Sequence, residues 1–254
     1  MDPARADPIR ATTVRYPTSG GGFLRYALVR RDSIVATMPT GEGQMQVLGR
    51  TAYVTITWIA TDTGTRITAQ VDSLVADSGL TSFTASLDSA RGLRWTAFRI
   101  PSGHLTTVST GRGSLVGDQI RDQVHLLFPV LPATGAHPGE SWTDSTTRPT
   151  RVSAFEANET ALTSSVAATT LTSGNLLEIA TVRMRRASGE GTQFNQAMTV
   201  QATGTDSLTY RLATDGRVID VVGNRNTDLI VQLPSIGQSV PAHESSLLRM
   251  TLLR

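Results

Sequence analysis

Tyr53-Val54-Thr55-Ile56-Thr57-Trp58, then Thr61-Asp62-Thr63-Gly64, then Ile67-Thr68-Ala69-Gln70-Val71-Asp72: this stretch decides the fold class. Val54, Ile56 and Trp58 alternate with Tyr53, Thr55 and Thr57, and Ile67, Ala69 and Val71 alternate with Thr68, Gln70 and Asp72. A period of two puts each apolar set on one face of a strand, and the polar run between them is turn chemistry. The spacing predicts a β-hairpin with one face in a core.

The same period recurs on both sides. Trp95–Ile100 and Leu105–Thr110 read as strands joined through Pro101-Ser102-Gly103. After Gly139, strands are expected over 152–158, 161–171, 176–186, 192–203, 208–213, 217–224, 229–233 and 247–253. Two interruptions have helical spacing. Phe83 and Leu87 lie four apart before Gly92, and Ile120, Val124, Leu127 and Phe128 form one stripe over 116–128, ended by Pro129 and Pro132. The expected fold is mainly β: large, twisted antiparallel sheets, as a sandwich or a half-open barrel, with one or two short helices. Residues 1–22, rich in Pro and Gly, read as an extended leader, and 23–254 as one β-rich domain. Aligning Gly103 with Gly216 superposes 95–108 on 208–221, so a division into two similar halves, 23–132 and 133–254, stays open.

Composition removes several chemistries. The 254 residues contain no cysteine, and all 23 basic residues are arginine. Thiol nucleophiles, iron–sulfur clusters, disulfides and Schiff-base lysines are therefore excluded. Thr (37) and Ser (22) are abundant, which suits strands with wet outer faces. Net charge is +2, and Arg alternates with Asp, as in Arg30, Arg31, Asp32, so nothing points to nucleic acid. No run is long enough to cross a bilayer as a helix. The amino terminus lacks the order of a signal peptide. An exported, periplasmic or envelope location is expected if such a peptide has been removed, with the cytoplasm as the alternative.

His104, His125, His137 and His243 show no metal-ligand spacing, and no Gly-x-Ser-x-Gly elbow occurs. Glu156 with Glu159, and Asp144 with Glu140, are the nominal carboxylate pairs. The pairs Gly41/Gly43, Gly111/Gly113 and Gly189/Gly191 read as hairpin turns rather than phosphate loops. In Arg183, Arg185 and Arg186 the first two share a strand face, where an anion or cross-strand carboxylates would meet them. No catalytic residue, metal or cofactor is assigned.

Phe128-Pro-Val-Leu-Pro132, followed by His137-Pro-Gly-Glu-Ser-Trp142, is a rigid, proline-broken feature. It resembles a segment of uncharacterised, exported, β-rich bacterial proteins, some of them lipoproteins. The resemblance implies an envelope location and carries over no catalytic residue, and this chain has no Cys to lipidate. The expected function is a non-catalytic scaffold or interaction subunit that docks on a protein partner in an envelope or membrane complex, with no membrane span of its own. Candidate contacts are Tyr16, Phe23, Phe128, Leu131, His137 and Trp142. A carrier of a lipophilic ligand within a curved sheet is the alternative, resting on an interior shared by Trp58, Trp95, Phe98, Leu126 and Leu127. A hydrolase ranks below both.

Overall fold

The computed structural model describes residues 13–37, 43–77, 87–109, 114–152, 155–193 and 196–253. The hairpin read from 53–72 is the facing part of β2 (Gly43–Thr61) and β3 (Gly64–Ala76). Before it comes β1 (Gly21–Thr37), and after it β4 (Arg94–Arg99) and β5 (Leu105–Ser109). Helix α1 (Leu115–Leu126) interrupts the strands. The chain then runs through β6 (Ser141–Val152), β7 (Phe155–Ala167), β8 (Leu177–Gln193), β9 (Gln196–Leu212), β10 (Val218–Leu233) and β11 (Gln238–Leu253).

All eleven strands belong to one antiparallel sheet, ordered β5-β4-β3-β2-β1-β11-β10-β9-β8-β7-β6, that curls into a half-barrel. The terminal strands β1 and β11 pair at its centre, from Arg25↔Leu253 to Ala36↔Ala242. Each half of the chain fans outward from that pair as a meander. The edges are therefore β5 and β6, which run in the same direction because an even number of antiparallel pairings separates them. The segment that joins them carries α1.

The sequence broke the long strands wherever a polar residue interrupted the apolar alternation. The expected strands 192–203 and 208–213 are one strand, β9, and 217–224 and 229–233 are one strand, β10. Gly189 and Gly191 lie inside β8 and make no turn. The turns expected at Gly41 and at Gly111/Gly113 lie outside the described residues. Of the helix expected over 80–90, only its end is described, where Leu87 and Ala90 are buried.

The core lies in the concave half of the curl, where Leu28, Val54, Ile56, Ile67, Leu177, Ile179, Leu212 and Met250 are all but sealed from solvent. α1 lays Val116, Ile120 and Val124 on it and is capped by Ser114, whose side chain accepts from the Gly117 amide at 3.1 Å. Residues 1–12 of the expected leader lie outside the described residues. Val14 is fully buried and bridges Ala136, and Tyr16 is in the core with its hydroxyl donating to the Pro129 carbonyl at 2.6 Å, so 13–16 is a structural strap.

The two glycines that aligned in sequence share a physical reason. Gly103 and Gly216 both have positive φ, and a Cβ on either would strike the strap, 2.8 Å from the Tyr16 ring and 2.7 Å from the Arg15 carbonyl. Their hairpins are not equivalent in the sheet, since β4–β5 forms one edge and β9–β10 lies inside it.

Candidate functional site

Strand alternation directs a second, polar set of residues into the concavity, above the apolar core. From β2 to β1, Arg50 lies 3.9 Å from Asp32, which accepts from Arg30 at 2.7 Å, and Arg30 also pairs with Glu244 of β11. Further round, Arg225 of β10 and Arg185 of β8 both hold Asp206 of β9, at 3.0 and 2.9 Å. Arg185 continues to Glu159 of β7 at 3.2 Å, and Glu159 also takes Arg183 at 2.6 Å and Arg148 of β6 at 3.3 Å. Arg148 then reaches Asp122 of α1 at 3.6 Å. The result is an ionic belt across the inner face of the sheet.

The belt is largely buried, and Asp206 is fully so. Burial raises the pKa of Asp206, but Arg225, Arg185 and Arg183 outweigh it and hold the carboxyl below its ordinary range. Glu159 is likewise lowered, burial being overcome by Arg183, Arg148 and Arg185. His125 goes down to about 4, through burial and then the charge of Arg148, which lies 3.2 Å from its Nδ1. It is thus a neutral imidazole at pH 7. Arg50 is pushed down to about 9 by burial and by Arg30, and its Nε has no hydrogen-bond partner among the described residues.

Two cavities adjoin the belt. One of about 70 Å³ lies between the first turns of α1 and the belt, reaching Ala187, Ala202 and Leu229. The other, of about 120 Å³, lies in the seam between the edge strands, lined by His104, Asp144, His125, Arg148, Arg183 and Tyr210 among others. His104 Nε2 is 3.1 Å from Asp144, so this pair ties the two sheet edges together.

The candidate contact residues do not gather into one surface. Tyr16 and Leu131 are buried, and Phe23 is 75% exposed at the start of β1. Phe128, His137 and Trp142 are half-buried and make internal contacts. Trp142 donates to the Val130 carbonyl at 2.9 Å, His137 meets Thr13 at 3.2 Å, and Leu131 donates its amide to Ser102 at 2.8 Å. The proline-broken segment is therefore a plug in the seam, held by its own fold. Glu156 is exposed while Glu159 is buried in the belt, and Asp144 is engaged by His104 while Glu140 accepts from the His137 amide. Neither nominal carboxylate pair faces a common substrate position.

Arg183 and Arg185 do share the inner face, with cross-strand carboxylates as partners. The rest of the belt was missed because it is dispersed over the chain. Its signal was present as charged or polar residues two apart inside strands, such as Arg30 with Asp32 and Arg225 with Thr227.

A different feature faces outward. On the convex side, register aligns three rows across β6, β7, β8 and β9: Ser141–Val166–Ala180–Thr209, Thr143–Ser164–Val182–Ser207 and Ser145–Leu162–Met184–Thr205. None of these residues is charged. At their centre Leu162, Val166, Val182 and Met184 are 46 to 55% exposed. With about 4.8 Å per strand and about 6.8 Å per row, the patch covers roughly 400 Å².

No family model matches the chain, and no curated protein does. Among solved structures, the chain is similar to an outer membrane channel from Pseudomonas putida F1 at 8% identity, over 98% of this chain and 100% of that one, with a TM-score of 0.20. A score that low assigns neither fold nor function. Here the apolar set faces inward and Arg25, Arg31, Arg186, Asn224 and Arg249 stand exposed on strands, whereas a membrane-spanning barrel carries its apolar band outside. No helix among the described residues is long and apolar enough to cross a membrane.

Proposed function

We propose that this chain is a non-catalytic interaction subunit that docks on a protein partner through the outer face of β6–β8. The observation that carries the reading is the uncharged patch centred on Leu162, Val166, Val182 and Met184, beside the edge strand β6. Five of the twelve residues in these rows are apolar and the other seven are Ser or Thr, and exposed apolar side chains gathered on an uncharged surface are a feature of contact surfaces. Charge is absent from all three rows, so the fitting partner presents an uncharged, partly apolar protein surface.

The ionic belt supports a binding role over catalysis, because its carboxylates are engaged by arginines instead of facing each other across a cleft. A location at the cell envelope belongs to the same proposal, and rests on the Pro- and Asp-rich start of the sequence followed by Thr- and Ser-rich strands. The carrier reading ranks second. Trp95, Leu126 and Leu127 do share the core, with Trp58 packed against it, but Phe98 is outside that cluster. The two cavities, about 120 and 70 Å³, fall well short of the roughly 300 Å³ at which drug-sized ligands begin to fit.

A photo-crosslinking side chain placed at Val182, and at Thr55 on the outer face of β2 as control, tests the docking face in the native cell. A discrete protein adduct from position 182 and none from position 55 is the expected result. Equal labelling from both positions, or none from 182, counts against the assignment.

A further inference from the structure

An antiparallel sheet closes on itself only with an even number of strands, because direction must alternate all the way round. This sheet has eleven, so its edges β5 and β6 are parallel, and they exchange no ladder hydrogen bonds. α1 crosses from one to the other on the concave side, where His125 and Leu126 back the seam. β5, α1 and β6 thus form a parallel crossover whose two strands are not paired with each other. One more strand, running against both, would complete the ring.

The backbone along the seam has the groups to hold it. The Ala167 amide donates to the Glu140 carbonyl at 2.8 Å, and the unbroken register of β6 with β7 then gives the even-numbered residues of β6 to that ladder. Ser145 and Thr147 therefore turn their amides and carbonyls to the seam. On β5 the Ile100 amide donates to the His104 carbonyl at 3.1 Å, which turns the backbone groups of Leu105 and Thr107 away from β4 and to the seam as well. None of these four amides has a hydrogen-bond partner among the described residues. The run is bounded at both ends. The plug and the His104–Asp144 pair close its foot, and Pro149, the next outward position after Thr147, has no amide to offer. Edge strands are commonly guarded by charge, yet the outward side chains of β6 from Ser141 to Thr147 are all Ser or Thr. Ser141, Thr143 and Ser145 also begin the three uncharged rows, so the seam continues the docking face.

We propose that the seam takes an extended segment of the partner protein as a twelfth strand, antiparallel to both β5 and β6. The inference rests on the docking reading above and supplies its mode. The segment matches the 5 residues of β5, and it is free of proline because it is hydrogen-bonded on both sides. Its outward side chains are uncharged, as are their exposed neighbours Thr106, Ser145 and Thr147. An inward side chain faces the cavity of about 120 Å³, which offers Leu105, Leu126, Phe128 and Leu208 to an apolar group. Residues 1–12 of this chain do not meet the requirement, since Pro3 and Pro8 divide them into proline-free runs of at most four.

Hydrogen–deuterium exchange of the assembly extracted from its own cells, set against the chain alone, tests the assignment. Peptides covering 105–109 and 143–149 are expected to exchange at least tenfold more slowly in the assembly. Ser145→Pro removes one seam amide and leaves the β7 ladder whole, and it is expected to lower the yield of the position-182 adduct at least fivefold. Ser145→Ala keeps the amide and is expected to lower it less. If Ser145→Pro loses its circular dichroism, the wild-type exchange decides. Seam peptides that exchange in the assembly as they do in the chain alone, or an adduct yield unmoved by Ser145→Pro, overturn the strand addition and leave the docking face standing. A chain that extracts alone overturns both. Protection that is present in the chain alone and lost when residues 1–12 are deleted, or present only in a dimer of this chain, assigns the strand to this protein and overturns the partner.

Discussion

His125 shows how the belt sets the chemistry of a single side chain. Its pKa lies near 4 in the folded chain against about 6.5 unfolded, so between those values the unfolded chain takes up a proton that the folded one refuses. Stability from this group is present above about pH 6.5 and is lost as pH falls towards 4, by roughly 1 to 3 kcal/mol. Asp206, Glu159 and Asp122 are lowered too, but from a lower starting value, and their contribution is lost only below the ordinary carboxylate range. Urea unfolding at pH 7.5, 6, 5, 4 and 3 separates the two. His125→Asn is expected to flatten the decline between pH 6.5 and 4 and keep the steeper acid limb, and an unchanged decline would show that the imidazole is charged in the fold.

At the scale of the strand, what the sequence hid and what the belt requires are the same residues. The apolar alternation of β2 and β3 is clean, so that hairpin was legible, as was α1 from the spacing of Ile120, Val124 and Leu127. β9 and β10 were each read as two strands because Gly204-Thr205-Asp206 and Arg225-Asn226-Thr227 look like breaks. Their inward members are belt residues, and a partner nineteen or more positions away in the chain cannot be seen from local pattern. Gly204 is the clearest case. It leaves a gap across β9 through which Arg185 Nη2 donates to Thr227 Oγ1 at 2.9 Å, and a Cβ there would lie 2.8 Å from that nitrogen and 2.7 Å from the Asn226 carbonyl. A β-strand ordinarily gains from replacing glycine. Here the overlap with backbone wins, and Gly204→Ala is expected to cost about 1 to 3 kcal/mol in chemical denaturation. A stabilised variant would mean that the arginine does not cross the strand.

For the whole molecule, the mainly β class was legible from composition and period. The choice between sandwich and half-barrel was not, because it depends on β1 pairing with β11 across the full length of the chain. The same long-range closure carried the candidate contacts out of reach. Tyr16 and Leu131 look like surface features of a proline-rich segment, and the strap and plug bury them. Half-exposed Leu162, Val166, Val182 and Met184 went unremarked because single apolar residues among Ser and Thr carry no local signal until register lines them up. The docking face is tested most directly by the native mass of the chain after gentle extraction from its own cells, beside that of Val182→Glu with Met184→Glu, outward substitutions that leave the core intact. The wild type is expected in an assembly well above 27.1 kDa and the double variant near that mass as a folded single chain. A wild-type chain that runs alone at 27.1 kDa, or a variant that stays in the assembly, would contradict docking through this face.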